Sequence, residues 1–334
     1  MITIKTTIFR STQYNPWYNL ALEEHLLKNV VDDDHVILYL WQNQHTVVIG
    51  RNQNAWKQCR CKELEDSGGK LARRLSGGGA VYHDLGNMNF TFLMPRRHYD
   101  LERQLQVLLQ AVKEQGIDAQ FAGRNDLVAD GRKFSGNAFY FEENRCYHHG
   151  TLLVDVNFDD MTKYLQVSSA KMRSKAVESV KARVVNLREL SPGLTIEGIA
   201  DSVAGAFIDV YGGEKEIIDA DPSSMGLEDK YDHYASWEWR YGKTPKFDVE
   251  FSTRFDWGEI DMGLSLQKGH IKEATIWSDA MNPQLIEQMA SQLAGVPLRP
   301  DDVTSRLAQL GQDEKDREVV DQFTVWFREQ LEQL

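Results

Sequence analysis

Arg73-Arg74-Leu75-Ser76-Gly77-Gly78-Gly79-Ala80-Val81-Tyr82-His83-Asp84-Leu85-Gly86-Asn87 is the stretch that decides how this chain is read. Three consecutive glycines follow a short strand, and glycine permits positive φ angles and close backbone approach. Successive N–H groups there can form an anion-binding concavity, and two arginines stand immediately beside it. That combination suits a phosphate or an adenylate. No Gly-Lys-Ser/Thr follows, so this is no P-loop, and the glycine spacing is not that of a dinucleotide-binding turn. A tight hairpin loop with two solvated arginines fits the same residues.

Around this loop, strands and helices alternate closely. Asn15 to Val30 reads as a helix with Pro16 in its first turn and Leu20, Leu22, Leu26 and Leu27 mostly on one face. His35 to Trp41 and Thr46 to Gly50 read as strands, and Ala55 to Asp66 as a short helix stopping before Gly68-Gly69. Leu101, Leu105, Leu108, Leu109 and Val112 follow helical spacing that Gly116 ends, while Asn87 to Met94 and Arg145 to Val156 look like strands. A further helix is expected from Thr195 to Tyr211. Asp219 to Lys230, acidic and aperiodic, reads as a surface loop. Lys243-Thr-Pro-Lys246 is a plausible linker. Beyond it, Phe247 to Trp257, Glu259 to Gln267 and His270 to Trp277 read as a three-stranded meander, with turns at Gly258 and Lys268-Gly269, followed by helices. The fold expected is α+β: a large α/β domain over residues 1–242 and a small α+β domain over 247–334.

Bulk properties narrow the classes of function. The 334 residues are 42% hydrophobic and 26% charged, as in ordinary globular proteins, and no stretch approaches the roughly 18 uncharged apolar residues of a membrane span. A net charge of −12 opposes nucleic acid and anionic membranes, without excluding a local basic pocket. The start alternates like a strand rather than carrying the apolar block of a signal peptide. Three cysteines, Cys59, Cys61 and Cys146, are too few and too irregular for a disulfide framework and fit a reduced, cytoplasmic setting.

Two further segments carry chemistry. Gly123-Arg124-Asn125-Asp126-Leu127 precedes Gly131-Arg132-Lys133-Phe134-Ser135-Gly136-Asn137-Ala138, where Lys133 sits between small residues on a strand leaving a turn. An ammonium is a compact, movable cation that can follow charge developing on an oxygen, though a surface lysine in a hairpin is the commoner case. Tyr147-His148-His149-Gly150-Thr151 pairs two histidines before an apolar strand. Neighbours in a strand face opposite ways, so they cannot easily share a metal; one of them suits a strut in the pocket wall.

Together and in this order the motifs resemble the lipoate–protein ligase A family, grouped with biotin protein ligases in one superfamily. Asn15-Pro-Trp-Tyr-Asn-Leu-Ala-Leu-Glu-Glu, Val47-Val-Ile-Gly-Arg-Asn-Gln-Asn and Ser236-Trp-Glu-Trp extend the resemblance from the first helix to the linker. It implies a catalytic domain of the biotin/lipoate ligase type followed by a small accessory domain. It also implies activation of lipoate by ATP, with lipoyl-AMP as intermediate, and transfer to a lysine of an acceptor protein. The acceptors implied are lipoyl domains of 2-oxo-acid dehydrogenase complexes and the H protein of glycine cleavage, with Mg2+ expected alongside ATP. The resemblance places Arg74, the Gly79-Ala80-Val81-Tyr82 backbone and Lys133 around the lipoyl-adenylate, with Gly77 and Gly78 in the same loop. Ser76, His83, Asn87, Asn125, Asp126, Ser135, Ala138 and His149 are implied as pocket wall. Asp126 suits a turn-capping role equally well, and no protein ligand to Mg2+ is named.

Rival readings are transfer through a cysteine thioester and a non-catalytic module that binds lipoate or nucleotide. Thioester chemistry needs an activated cysteine, and Leu165-Gln-Val-Ser-Ser169 has none where related octanoyltransferases carry theirs. Leu75 departs from relatives with a small polar residue there; it either removes a contact to the nucleotide or points into the core. Lys171, Arg173, Lys175, Lys181 and Arg183 form a basic run suited to a solvated face, or to a segment that covers the adenylate or meets an acidic acceptor.

Overall fold

The structure, a computed structural model, describes residues 4–123, 125–166, 183–242, 248–267, 269–311 and 313–332. Arg124, Lys171, Arg173, Lys175, Lys181 and the Lys243–Lys246 linker lie outside the described residues. The chain divides into two compact units, one holding Met1–Ile49, Trp56–Arg74 and Ala80–Arg240, the other Gly50–Ala55, Leu75–Gly79 and Tyr241–Leu334.

The first unit is organised by strands β1 (Lys5–Ser11), β2 (His35–Trp41), β3 (Thr46–Ile49), β4 (Lys70–Arg73), β5 (Val81–His83), β6 (Asn87–Pro95), β7 (Ala119–Ala122), β8 (Asp126–Ala129), β9 (Arg132–Phe141), β10 (Arg145–Leu153) and β11 (Ile217–Ala220). Eight of them form one sheet in the order β11-β1-β2-β6-β10-β9-β8-β7, and β4-β3-β5 form a second, small sheet. One face of the large sheet is apolar: Leu38, Leu40, Phe90, Phe92, Cys146 and Leu152 pack in a single core with Leu105, Leu108 and Val112 of one helix and Val203 and Phe207 of another. The first of these helices spans Leu101–Glu114, is capped by the Asp100 side chain accepting from the Arg103 N–H, and ends before Gly116 at φ +78°. Its buried stripe gives each large side chain about 1.5–3 kcal/mol of burial, which fixes which sheet face is left for chemistry.

In the first unit the expected elements form with three differences. The first helix is α-helical over Pro16–His25, with the Asn15 side chain accepting from the Trp17 N–H, and continues as a π-helical turn over Leu26–Val30. Ala55–Asp66 is two helices, Ala55–Gln58 and Cys61–Asp66, not one. The surface loop expected over Asp219–Lys230 narrows to residues 221–227, with one 3-10 turn over Pro222–Ser224: Ile217–Ala220 pairs in parallel with β1, and Glu228–Ala235 is helical. Acidic composition hid an aromatic pair at helical spacing. Tyr231 lies over Tyr18 at 4.1 Å, and the buried Tyr234 donates its hydroxyl to Glu24 at 3.0 Å.

In the second unit, β12 (Val249–Phe255), β13 (Gly258–Gln267) and β14 (His270–Ser278) make an antiparallel meander. Gly258 opens β13 rather than forming the turn expected there. Ile260, Met262 and Leu264 alternate inward and pack with Ile286, Met289, Phe323 and Phe327 of the following helices. Among the described residues no helix is long and apolar enough to cross a membrane.

Candidate active site

Strand register divides the chemistry of the large sheet. Residues opposed in an antiparallel pair share a face. Thr91 opposes both Tyr39 and His149, and Asn89 opposes Trp41 and Thr151. His149 opposes Ala138, and Tyr147 opposes Tyr140. The face away from the apolar core therefore carries Tyr39, Trp41, Asn89, Thr91, Ala138, Tyr147, His149 and Thr151. His148, one residue from His149, points to the other face, between Gln104 and Asn137 at 2.8 Å each. The two histidines cannot share a metal, as the alternation requires. Cys146 shares His148's face, is fully buried in the apolar core, and burial pushes its thiol up to about 12.

A buried hydrogen-bonded line forms the floor of the polar face. The Trp41 ring N–H donates to Thr91 Oγ1 at 3.0 Å, and that hydroxyl donates to Glu23 Oε1 at 2.7 Å. His149 Nδ1 meets the same carboxylate oxygen at 2.9 Å. A carboxylate only accepts, so His149 carries its proton on Nδ1. Glu23, absent from the candidate residues, comes from the Asn15–Glu24 motif: its spacing shows a helix, while its partner lies 126 residues away. Arg74 is buried near this line, where burial lowers its guanidinium to about 10, opposed by the nearby Tyr147 and Glu23. It remains a cation at neutral pH. Arg73 has a different task, since its Nε and Nη2 donate to the Trp239 and Arg240 carbonyls at 2.8 Å and the Trp239 ring N–H donates back to the Arg73 carbonyl. Of the two arginines expected beside the phosphate, one is thus a clamp on the Ser236-Trp-Glu-Trp segment.

His83 ends β5 with its ring edge-on to Trp41, centroids 6.2 Å apart, and Nδ1 3.1 Å from Asn43 Nδ2. Burial pushes the ring down to about 3, helped by Arg74 and His149. Tyr82 beside it faces outward from this cluster to His45, at 3.2 Å. Val81 starts β5 and Ala80 immediately precedes it. Asn87 donates to Asn89 Oδ1 at 2.9 Å. Asp84 accepts from the Gly86 and Asn157 N–H groups, both at 2.8 Å, so the Asp-Leu-Gly turn is structural. Gly86 is required there because a Cβ would collide with the Asp155 carbonyl.

Lys133 follows the Asp130-Gly131 turn, and its backbone is held on both sides: its N–H donates to the Arg183 carbonyl at 2.8 Å and its carbonyl accepts from Val185 N–H at 2.9 Å. Its ammonium lies 2.7 Å from Asp126 Oδ1, both side chains about one-third exposed. Asp126 opposes Gly136, whose missing Cβ leaves the space that the lysine's end occupies. Asn125 exchanges hydrogen bonds with Asn137 and so ties the loop to β9. Ser135 opposes Leu127 of the apolar core, which sets it apart from the polar face.

Ser76, Gly77, Gly78 and Gly79 fall in the second compact unit. Gly78, at φ +86°, donates its N–H to the Ala280 carbonyl at 3.2 Å, and a Cβ on Gly77 would strike that same carbonyl. One N–H of the expected anion nest is therefore engaged by this unit's own backbone. Leu75 is buried, so the departure at that position is a core contact. Among the described residues no three His, Cys, Asp or Glu side chains are placed to hold a metal.

The family model described as lipoyl protein ligase A/B catalytic domain matches residues 15–208, and that of the bacterial lipoate protein ligase C-terminus matches 244–327. Lipoate-protein ligase A of Psychrobacter cryohalolentis is 40% identical over 316 residues, covering 92% of this chain and 93% of the relative. That of Blochmanniella floridana is 38% identical, covering 86% and 87%. Among solved structures, P. falciparum LipL1 in complex with lipoate superposes with a TM-score of 0.87 at 29% identity, over 97% of this chain and 99% of that one. A lipoate-protein ligase A bound with ATP shares the fold, with a TM-score of 0.62 at 22% identity over 73% of this chain and all of that one. The chain belongs to the lipoate–protein ligase A family and carries both that family's catalytic domain and its C-terminal domain.

Proposed function

We propose that the protein activates lipoate with ATP, forming lipoyl-AMP and releasing pyrophosphate, then passes the lipoyl group to an acceptor lysine with loss of AMP. The observation that carries this is a buried cation, Arg74, set with His83 and His149 over a polar sheet face whose neighbouring strand presents Lys133. The family's ligase names, the lipoate in LipL1 and the ATP in the second structure support the same reading.

The carboxylate of lipoate attacks the α-phosphorus and pyrophosphate departs. Arg74 and the N–H groups of the Gly79–Tyr82 backbone neutralise the phosphoryl oxygens as charge builds there. Lys133 holds the carboxylate, then the carbonyl and phosphate oxygens of the mixed anhydride. Its present partner suits that exchange: a pair one-third exposed, as Asp126–Lys133 is, contributes at most about 1 kcal/mol, so an arriving carboxylate replaces Asp126 at little cost. No covalent enzyme intermediate is needed, since positioning and charge stabilisation supply most of the rate. Mg2+ would accompany ATP and would supply charge neutralisation at its phosphates.

The acceptors are lipoyl domains of 2-oxo-acid dehydrogenase complexes or the glycine cleavage H protein, and the setting is cytoplasmic. A bi-partite lipoate protein ligase from Thermoplasma acidophilum, described together with its E2 lipoyl domain, shares the fold at 24% identity and a TM-score of 0.65 over 74% of this chain, and its acceptor is in keeping with a lipoyl-domain partner. The domain boundaries we propose are 1–242 and 247–334. The test is pyrophosphate release with ATP and lipoate, octanoate or biotin in turn. Release with lipoate or octanoate is expected. Release with biotin alone, or none at all, would refute the assignment.

A further inference from the structure

His83 has a hydrogen-bonding state that can be read from backbone carbonyls two side chains away. Asn19 is fully buried, and its amide nitrogen faces the Gln13 and Gln42 carbonyls at 3.1 and 2.8 Å. Carbonyls only accept, so the amide orientation of Asn19 is fixed. Its oxygen correspondingly accepts from Ser11 Oγ at 2.6 Å and the Tyr39 hydroxyl at 3.2 Å. The same nitrogen lies 3.0 Å from Asn43, its two hydrogens shared among three acceptors, and because an amide nitrogen only donates, the facing atom of Asn43 is its oxygen. Asn43, also fully buried, must then present its NH2 to His83 Nδ1 at 3.1 Å. That ring nitrogen can only accept, so the proton of a neutral ring sits on Nε2.

Nε2 is the atom left over. It is buried and, among the described residues, has no hydrogen-bond partner. An orphaned buried donor costs about 1–3 kcal/mol, and such groups in native proteins mark sites completed by something else. The groups facing the ring are Trp41 by ring contact, and Arg74 and His149 by charge. Both neighbours disfavour an imidazolium, and among the described residues no carboxylate is hydrogen-bonded to the ring.

We propose that Asn19 and Asn43 lock His83 as the neutral Nε2–H ring, and that this N–H donates to a carboxylate oxygen of the acyl substrate. The hydrogen bond persists while that carboxylate becomes the carbonyl of the mixed anhydride, and His83 neither gives nor takes a proton in either step. Asn43 is a positioning residue, acting through the ring. The identity of the ligand oxygen rests on the ligase reading above; the state of the ring does not.

The experiment has two arms. Nitrogen NMR of ring-labelled histidine, with His83 assigned by its loss in His83→Gln, should show an acceptor-type Nδ1 and a protonated Nε2, unchanged from pH 5.5 to 8. A reversed pattern, or titration within that range, overturns the lock. In the second arm, Asn43→Asp puts an acceptor opposite Nδ1 and draws the ring proton there, removing the Nε2 donor. Its kcat/KM for lipoate-dependent pyrophosphate release should fall about 10- to 100-fold. In a His83→Gln background, where no ring proton remains to be moved, Asn43→Asp should be nearly silent. An equal loss from Asn43→Asp in both backgrounds would show a structural role and overturn the proposal. A wild-type protein that releases no pyrophosphate overturns the ligand assignment, whereas a reversed spectrum in an active enzyme overturns the ring state.

Discussion

Replacing His83 by glutamine should change how the protein tolerates acid. In the folded chain the ring is held down to about 3 by burial, with Arg74 and His149 adding to it, while an unfolded histidine titrates near roughly 6.5. Between those values only the unfolded chain binds the proton. Stability contributed by the neutral ring is therefore fully present above about 6.5 and is lost as pH falls toward 3. Below 6.5 the loss is about 1.4 kcal/mol per pH unit, so going from pH 7 to pH 5 removes about 2 kcal/mol. Glutamine keeps the length and does not titrate. Equilibrium urea unfolding by circular dichroism at both pH values, on wild type and His83→Gln, isolates the term, because other titrating groups are common to both. Wild type should lose about 2 kcal/mol more than the variant. Parallel losses would show that the ring protonates in the folded state and would refute the burial argument.

Lys133→Ala should lower adenylation at least 100-fold, within the range for removing one preorganised donor to a developing charge. Lys133→Arg should fail too, since a planar fork does not replace a point charge; pyrophosphate release measures both. Cys146→Ser should retain ligation in a gel-shift assay with an acceptor domain, because the thiol faces the apolar core. Gly77→Ala should destabilise the protein by about 1–3 kcal/mol, while Gly79→Ala, with open space around it, should stay within about 0.5 kcal/mol by calorimetry. Charge reversal at Lys171 and Lys175 should raise the acceptor's Michaelis constant and alter its salt dependence; an unchanged salt response would assign that run to a solvated face.

What could be read from sequence was local. The Leu101–Glu114 helix, β2 and the meander of the second unit follow from periodicity with errors of a residue or two at their ends. Lys133 on a strand leaving a turn, and opposed directions for His148 and His149, also follow from alternation. The partners of those residues do not. Glu23 reaches His149 across 126 positions, and Asn43 reaches His83 across 40, so no spacing reports either pair. Arg73 and Arg74 are indistinguishable as neighbours in a sequence, yet one closes onto carbonyls of Trp239 and Arg240 and the other is buried beside the polar face. The helix at Glu228–Ala235 was missed because its packing surface, Tyr18 and Glu24, lies two hundred residues earlier.

Strand β10 has a consequence for how this protein can vary. Tyr147, His149 and Thr151 face the polar side, while Cys146 and Leu152 fill the apolar core and His148 is hydrogen-bonded on that same side between Gln104 and Asn137. A saturation scan along it should oscillate with a period of two: losses of turnover in a folded protein alternate with losses of the protein itself. A single-residue deletion would exchange the two roles wholesale, so the strand can drift in composition but not in length.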